Sequence, residues 1–329
     1  MPTSDPQRRP RVVVTAKLPG GAIRPLRDAC DVDLYDGPEP MPTDLLAERL
    51  ATADGLVCFL TNRVDASMID AAPSLKVIAD VSVGYDNVDV PAARRRNIVV
   101  TNTPGVLTDA TADLTWALIL STMRRVVEAD RFVRAGKWKG FAFDLLLGGD
   151  LKGKQLGIIG LGRIGQAVAR RAVGFGMTIA YVPSPRAGAQ PQEQFDGFTA
   201  TPLALDPLLR SSDVVSLHAP STAETKHVIN QKTLMRMKRS AYLINVARGP
   251  VVDEQALAWA LREHIIAGAG LDVFEREPEI EPDLLTLENV VLLPHLGSAT
   301  VGTRTAMAQL AVENCIAVLS GRPPVTPVP

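Results

Sequence analysis

Cysteine is scarce in this chain, and so is net charge of either sign. Three cysteines, Cys30, Cys58 and Cys315, are spread over 329 residues with no paired spacing. An odd number so distributed argues against a disulfide framework or a zinc site and for buried, inert thiols in a reducing cytoplasm. The 35 basic and 36 acidic residues leave a formal net charge of −1. That removes the electrostatic basis for nucleic acid or an anionic membrane as partner. Short basic runs such as Arg94-Arg95-Arg96 and Arg124-Arg125 read as solvated helix faces. No apolar run approaches the roughly 20 residues of a membrane span. The polar, proline-containing start lacks the apolar core of a signal peptide, so a cytoplasmic protein is expected. No cluster of His, Cys and carboxylates has metal-ligand spacing, and no metal is expected. The proline-rich tail, 322–329, is neither helix nor central strand by composition and is expected to lie loose.

What the chain does have is alternation. Short β-branched runs fall at 11–15, 32–35, 55–60, 76–79 and 97–100. A second series follows at 155–159, 178–181, 213–218, 241–246, 268–271 and 289–293. Helical patterns lie between them, for example at 43–52 and 253–263. Such alternation predicts an α/β protein with two doubly wound parallel sheets. Residues 109–134 read as one long helix with an apolar stripe of Leu114, Ala117, Leu118, Leu120, Met123 and Val127. The loop 135–150 carries Trp138, Phe141 and Phe143, and reads either as a subunit contact or lid, or as a surface loop folded on its own domain. A last helix, 301–319, is expected to pack back on the first domain.

The apolar run 155–159 leads directly into Gly160-Leu161-Gly162-Arg163-Ile164-Gly165, and Ile164, Val168 and Ala172 then recur at helical spacing. Between a strand and a helix, three such glycines have separate jobs. The first permits a tight turn, the second lets backbone approach a pyrophosphate, and the third lets helix pack on strand. The phosphates would meet the unpaired N–H groups of the helix N-terminus. A dinucleotide site is therefore expected here.

Ligands of an open parallel sheet bind beyond the carboxyl ends of its strands. Three successive strands of the second series end in Arg248, in Asp272 with Glu277 shortly after, and in His295. These types suit reduction of a carbonyl beside a carboxylate. Arg matches a carboxylate bidentately and polarises the carbonyl. Histidine, with an unperturbed pKa of about 6.5, supplies the proton, and a carboxylate beside it fixes the ring. His264 and His227 read as solvated residues, whereas His218, at a strand end, reads equally as cofactor contact or structural residue. An acid usually follows the glycines by about 20 residues to bind the ribose hydroxyls of NAD. Val182 stands there instead, with Ser184 and Arg186 just after, and Arg186 suits a 2′-phosphate. NADP(H) is the preferred cofactor on this reading, with NAD(H) possible.

These motifs, with Asn245-Val246-Ala247-Arg248-Gly249, Gly270-Leu271-Asp272-Val273-Phe274 through Glu277-Pro278, and Pro294-His295-Leu296-Gly297-Ser298-Ala299, resemble the D-isomer-specific 2-hydroxyacid dehydrogenases over nearly the full length. Ser82-Val83-Gly84-Tyr85-Asp86-Asn87 and Asn102-Thr103-Pro104-Gly105-Val106-Leu107-Thr108 add to the match. Within the family the chain is most similar to glyoxylate and hydroxypyruvate reductases. The resemblance implies a discontinuous, flavodoxin-like substrate domain (1–104 and 298–329), a Rossmann domain (105–297) and a cleft between them. It implies a homodimer embraced by 109–150, with Trp138 reaching toward the partner. It carries the catalytic roles onto Arg248, Glu277 and His295, and substrate contacts onto Val83, Gly84, Leu60 and Arg248. Cofactor contacts fall to Gly160, Gly162, Arg163, Ile164, Gly165, Ser184, Arg186, Pro220, Thr225, Val246, Asp272, Gly297 and Thr108. The same scaffold also serves phosphite and 3-phosphoglycerate dehydrogenases and a nucleotide-sensing corepressor, and these stand as alternatives.

Overall fold

Residues 8–37, 40–184 and 192–329 are described by the computed structural model. The chain falls into two units, one of Met1–Leu107 with Ser298–Pro329 and the other of Thr108–Gly297. In the first, β1 (Arg11–Val14), β2 (Asp31–Leu34), β3 (Gly55–Cys58), β4 (Val77–Asp80) and β5 (Val99–Thr101) form a parallel sheet in the order β2-β1-β3-β4-β5. Strands β3 and β4 are buried along their whole length, as a parallel strand covered on both faces must be. Helices α1 (Ile23–Ala29), α2 (Thr43–Leu50), α3 (Ala66–Asp70) and α4 (Val90–Arg95) make the crossovers. Asp65 and Asp89 start the last two by accepting the Met68 and Ala92 N–H groups, the ordinary chemistry of an N-cap. The helix Val301–Leu319, capped by Thr300, packs on β3 and β4.

The tail is not loose. Thr101 bridges Pro327 in antiparallel fashion, and the Val328 N–H reaches the Val100 carbonyl at 2.8 Å. Proline removes only its own donor, so the N–H groups of Val325, Thr326 and Val328 remain available on either side of Pro327. The fully buried Asn314 takes two of them: its Oδ1 accepts Val325 N and Thr326 N at 2.9 Å each. One buried amide thus ties the tail to the edge of the sheet.

The second unit contains α5 (Thr108–Met123), α6 (Val126–Arg134), β6 (Gln155–Ile159), α7 (Arg163–Gly174) and β7 (Thr178–Val182). It continues with β8 (Gln194–Phe195), β9 (Phe198–Thr199), β10 (Thr201–Pro202), α8 (Leu205–Ser211), β11 (Val214–Leu217) and α9 (Gln231–Leu234). It ends with β12 (Tyr242–Asn245), α10 (Glu254–Arg262), β13 (Gly268–Leu271) and β14 (Val290–Leu292). Its seven-stranded parallel sheet runs β10-β7-β6-β11-β12-β13-β14. Numbered within the unit, that is the doubly wound order 3-2-1-4-5-6 with one strand added, whose direction reverses between β6 and β11.

The single helix expected at 109–134 is two helices. Arg125 sits at φ 53° between α5 and α6. The Gly149 N–H donates to the Met123 carbonyl at 2.9 Å, taking the acceptor that a continuing helix would need. The expected stripe is also only partly buried: Leu118 and Met123 are covered, Leu114 and Leu120 partly, and Ala117 is exposed. Helix α5 packs on α7 as well as on β12–β14, so burial spreads round it to Thr111, Thr115, Trp116 and Thr122. Trp138, Phe141 and Phe143 are exposed, the two phenylalanines by 89% and 90%. Among the described residues no helix is long and apolar enough to cross a membrane.

Candidate active site

The glycine turn lies at the strand-order reversal of the second sheet. Gly160 has φ 99°, and a Cβ there would stand 2.4 Å from Ala219 N, beyond the end of β11. A Cβ on Gly165 would meet the Gly160 carbonyl oxygen at 2.3 Å. Gly162 is different: nothing lies within 4 Å of its Cβ position, and it starts α7 with no side-chain cap. Open space before an uncapped helix start fits a phosphate. Arg163 is exposed and Ile164 half-buried beside it.

Val182 closes β7, and Ser184 is exposed after it; Arg186 lies outside the described residues. Beyond β11, the Thr225 hydroxyl donates to the Pro220 carbonyl at 2.6 Å and closes that loop. His218 is packed at the sheet's crevice, where burial holds its pKa down to about 3 and its Nε2 lies 2.9 Å from Ser216 Oγ. It stays neutral. His227 is not simply solvated, because its Nε2 pairs with Glu275 Oε1 at 2.7 Å.

Neighbouring strands β12, β13 and β14 supply the candidate chemistry. Past β12, the buried Asn245 folds the turn: its Oδ1 accepts Ala247 N and its Nδ2 donates to Arg248 O, each at 3.0 Å. Arg248 is half-buried and donates to the Ala247 carbonyl at 2.8 Å. A Cβ on Gly249 would fall 1.8 Å from the Phe274 carbonyl carbon, so only glycine lets the Arg248 turn lie against the loop that follows β13. In that loop Glu277 accepts Phe274 N at 3.0 Å through Oε1, and its Oε2 lies 2.8 Å from His295 Nδ1. Burial raises the Glu277 pKa, but the His295 hydrogen bond and charge, the Phe274 N–H and Arg248 outweigh it, and the net shift is downward. An ionised Glu277 makes Nδ1 the protonated nitrogen of the ring.

Two carboxylates hold these loops: Glu254, which the sequence does not single out, and Asp272, which the resemblance gives to the cofactor. Glu254, buried at the start of α10, accepts the backbone N–H groups of Glu275 and Glu281. Burial raises its pKa. Asp272, also buried, accepts Leu296 N at 2.6 Å and Gly297 N at 2.8 Å, while its carbonyl accepts His295 N at 2.9 Å. Three bonds from one residue thus fix His295 in its left-handed conformation, φ 55°. Nothing in residue spacing announces either role, since both act on backbone groups across loops. Val246, buried, follows β12, and Thr108 opens α5.

The other substrate candidates lie in the first unit. Val83 and Gly84 follow β4, with the Val83 carbonyl held by Asn102 Nδ2 at 2.7 Å. Leu60, 36% exposed, lines a cavity of about 510 Å³ with Arg63, Asp65 and Asn87.

Residues 116–297, more than half the chain, match the model of the D-isomer specific 2-hydroxyacid dehydrogenase NAD binding domain. The chain is 50% identical over 322 residues to a glyoxylate reductase of Korarchaeum cryptofilum, covering 96% of this chain and 95% of that protein. It is 48% identical over 322 residues to a glyoxylate reductase of Thermococcus onnurineus, covering 97% and 95%. Among solved structures, the NADPH-dependent glyoxylate/hydroxypyruvate reductase of Sinorhizobium meliloti, in complex with NADP and malonate, is 39% identical with a TM-score of 0.84, covering 97% of each chain. The chain belongs to the D-isomer-specific 2-hydroxyacid dehydrogenase family.

Proposed function

We propose that this protein reduces small 2-oxoacids, glyoxylate and hydroxypyruvate, to 2-hydroxyacids, with D configuration where the product is chiral, and prefers NADPH to NADH. The observation that carries this reading is the 2.8 Å His295–Glu277 pair beside the Arg248 turn, at the ends of three neighbouring strands. The nicotinamide supplies the hydride when bound. The carbonyl oxygen of the substrate then gains charge, and His295 delivers a proton to it through Nε2, because Nδ1 is engaged by Glu277. Glu277 holds the ring by its Nδ1. Arg248 presents a planar, permanently charged fork suited to a carboxylate beside that carbonyl. The N–H groups of Val83 and Gly84 are assigned to the substrate carboxylate, and Leu60 to the wall of its pocket.

The pyrophosphate is assigned to Gly160, Gly162 and the start of α7 at Arg163, Ile164 and Gly165. Pro220, Thr225 and Gly297 are assigned to the cofactor, and Asp272, the backbone near Val246 and Thr108 to its nicotinamide amide. Ser184 and Arg186 are assigned to a 2′-phosphate, since Val182 brings no charge to repel it. The relatives' names support the substrate class, and the exposed Trp138, Phe141 and Phe143 support a homodimer formed through 109–150. Three free, buried cysteines accord with a cytoplasmic location. The test is to reduce hydroxypyruvate with NADPH and with NADH and to determine the configuration of the glycerate. D-glycerate formed faster with NADPH is expected. L or racemic product would refute the stereochemical assignment, and faster turnover with NADH the cofactor assignment.

A further inference from the structure

In the first unit a chain of hydrogen bonds runs from the C-terminal tail to the loop after β4. It starts at Asn314, fully buried in the helix Val301–Leu319. Its Oδ1 accepts Val325 N and Thr326 N at 2.9 Å each. Its Nδ2 donates to the Leu310 carbonyl and to Thr326 Oγ1, both at 2.8 Å. A primary amide has two donors and an oxygen that accepts two bonds, so all four places are taken and the side chain has one orientation. The amide nitrogen can only donate. The Thr326 hydroxyl therefore accepts from Asn314 and keeps its single proton for another partner. That partner is the Asn102 carbonyl, at 2.6 Å. Asn102 N in turn donates to the Thr326 carbonyl at 3.3 Å. One tail residue thus holds both backbone groups of Asn102.

Asn102 and Thr103 hold the loop assigned to the substrate carboxylate. Asn102 Nδ2 donates to the Val83 carbonyl at 2.7 Å. The buried Thr103 donates to the Ser82 carbonyl twice, through its N–H at 2.7 Å and its hydroxyl at 3.0 Å. In a planar trans peptide the N–H points opposite to the C=O. Fixing the Ser82 carbonyl therefore aims the Val83 N–H, and fixing the Val83 carbonyl aims the Gly84 N–H. Both carbonyls face 102–103, so both N–H groups face away from it. Donors aimed in advance spare a ligand the cost of ordering them. Resting on the substrate role given to Val83 and Gly84, we propose that Thr326 of the tail is a positioning residue. Its hydroxyl clamps Asn102 and so presets the two N–H groups that grip the 2-oxoacid carboxylate.

Two variants test the clamp. Thr326→Val nearly keeps the volume and removes the hydroxyl, whereas Thr326→Ser keeps the hydroxyl. With hydroxypyruvate, at a temperature where all three proteins are folded, Thr326→Val is expected to raise KM about fivefold, the equivalent of one hydrogen bond of about 1 kcal/mol. Its kcat should be nearly unchanged, as for an interaction that serves bound substrate and transition state alike. NADPH affinity should also be unchanged, because the cofactor is assigned to the second unit. Thr326→Ser should hold KM within about twofold of wild type, on the same count of donors. Amide exchange gives a readout apart from turnover: the Thr103 N–H, bonded to the Ser82 carbonyl, should exchange about fivefold faster in Thr326→Val than in wild type or Thr326→Ser. An unchanged KM in Thr326→Val, a Ser variant as impaired as the Val variant, or unchanged Thr103 exchange would overturn the proposal. Failure of wild type to turn over any 2-oxoacid would instead overturn the proposed function, and Thr103 exchange would then decide the clamp by itself.

Discussion

Replacing Glu277 by Gln perturbs the candidate site by two charge-bearing atoms and almost no volume. The glutamine carbonyl still accepts the Phe274 N–H, now 3.0 Å from Oε1. What changes is the partner of His295 Nδ1, at present a carboxylate oxygen 2.8 Å away: an amide NH2 would face it instead, so Nδ1 must turn from donor to acceptor. A hydrogen bond to a charged group contributes about 1.5–3 kcal/mol and a neutral one about 1. The difference is about 0.5–2 kcal/mol, and because the two side chains are 28% and 30% exposed solvent screening keeps it toward the lower part, about 0.5–1.5 kcal/mol. That converts to a roughly 2- to 13-fold fall in kcat/KM for hydroxypyruvate. Fluorescence titration of NADPH should give an unchanged Kd, because Glu277 is assigned no part in holding the cofactor. The pH dependence carries a sign. A carboxylate whose folded pKa is depressed contributes stability above its unfolded pKa and loses it as pH falls through the folded value. The stability gap between wild type and Glu277→Gln should therefore be constant near neutrality and close only below the usual glutamate range, read as Tm against pH. Turnover within twofold of wild type, or an equal loss of cofactor binding, would refute the reasoning.

Gly249→Ala would place a methyl 1.8 Å from the Phe274 carbonyl carbon. Overpacking against backbone costs about 1–3 kcal/mol or more, so a Tm several degrees lower and a large loss of activity are expected; thermal melts and turnover at a temperature where the variant is folded separate the two. Asn314→Ala strips the tail of its two 2.9 Å bonds and leaves two part-buried N–H groups unpaired, costing about 1–2 kcal/mol in a denaturant melt. Its tail amides should also exchange faster with solvent. Arg186→Ala should weaken NADPH much more than NADH, and equal weakening would contradict the 2′-phosphate assignment.

Much of the architecture is legible in the chain because burial and local pattern coincide. Fully covered parallel strands are short apolar runs, and 155–159 and 268–271 match β6 and β13 end to end. Other strand ends shift by one or two residues, where the last residue leaves the ladder, as at Phe59 and Leu60. The failures share a cause: a distant group intervenes. Gly149 breaks the long helix by taking the Met123 carbonyl, and Asn314 orders a tail whose composition reads as loose. Arg248, Glu277 and His295 stand out as candidates in the sequence because strand ends mark a sheet's crevice and side-chain chemistry does the rest. Asn245, Glu254 and the loop-holding part of Asp272 escape sequence reading because they serve backbone atoms, whose positions exist only in the fold. Trp138, Phe141 and Phe143 of 135–150 are exposed in the single chain, a matter of packing that residue spacing does not encode.

The central claim is that His295, held by Glu277, delivers the proton that completes reduction of a 2-oxoacid. It is tested most directly by following NADPH oxidation with hydroxypyruvate in wild type and His295→Ala side by side, with NADPH affinity measured in both. Rapid turnover in wild type, most of it lost in the variant while cofactor affinity is nearly intact, is the result predicted. A His295→Ala enzyme that turns over as fast as wild type would contradict it.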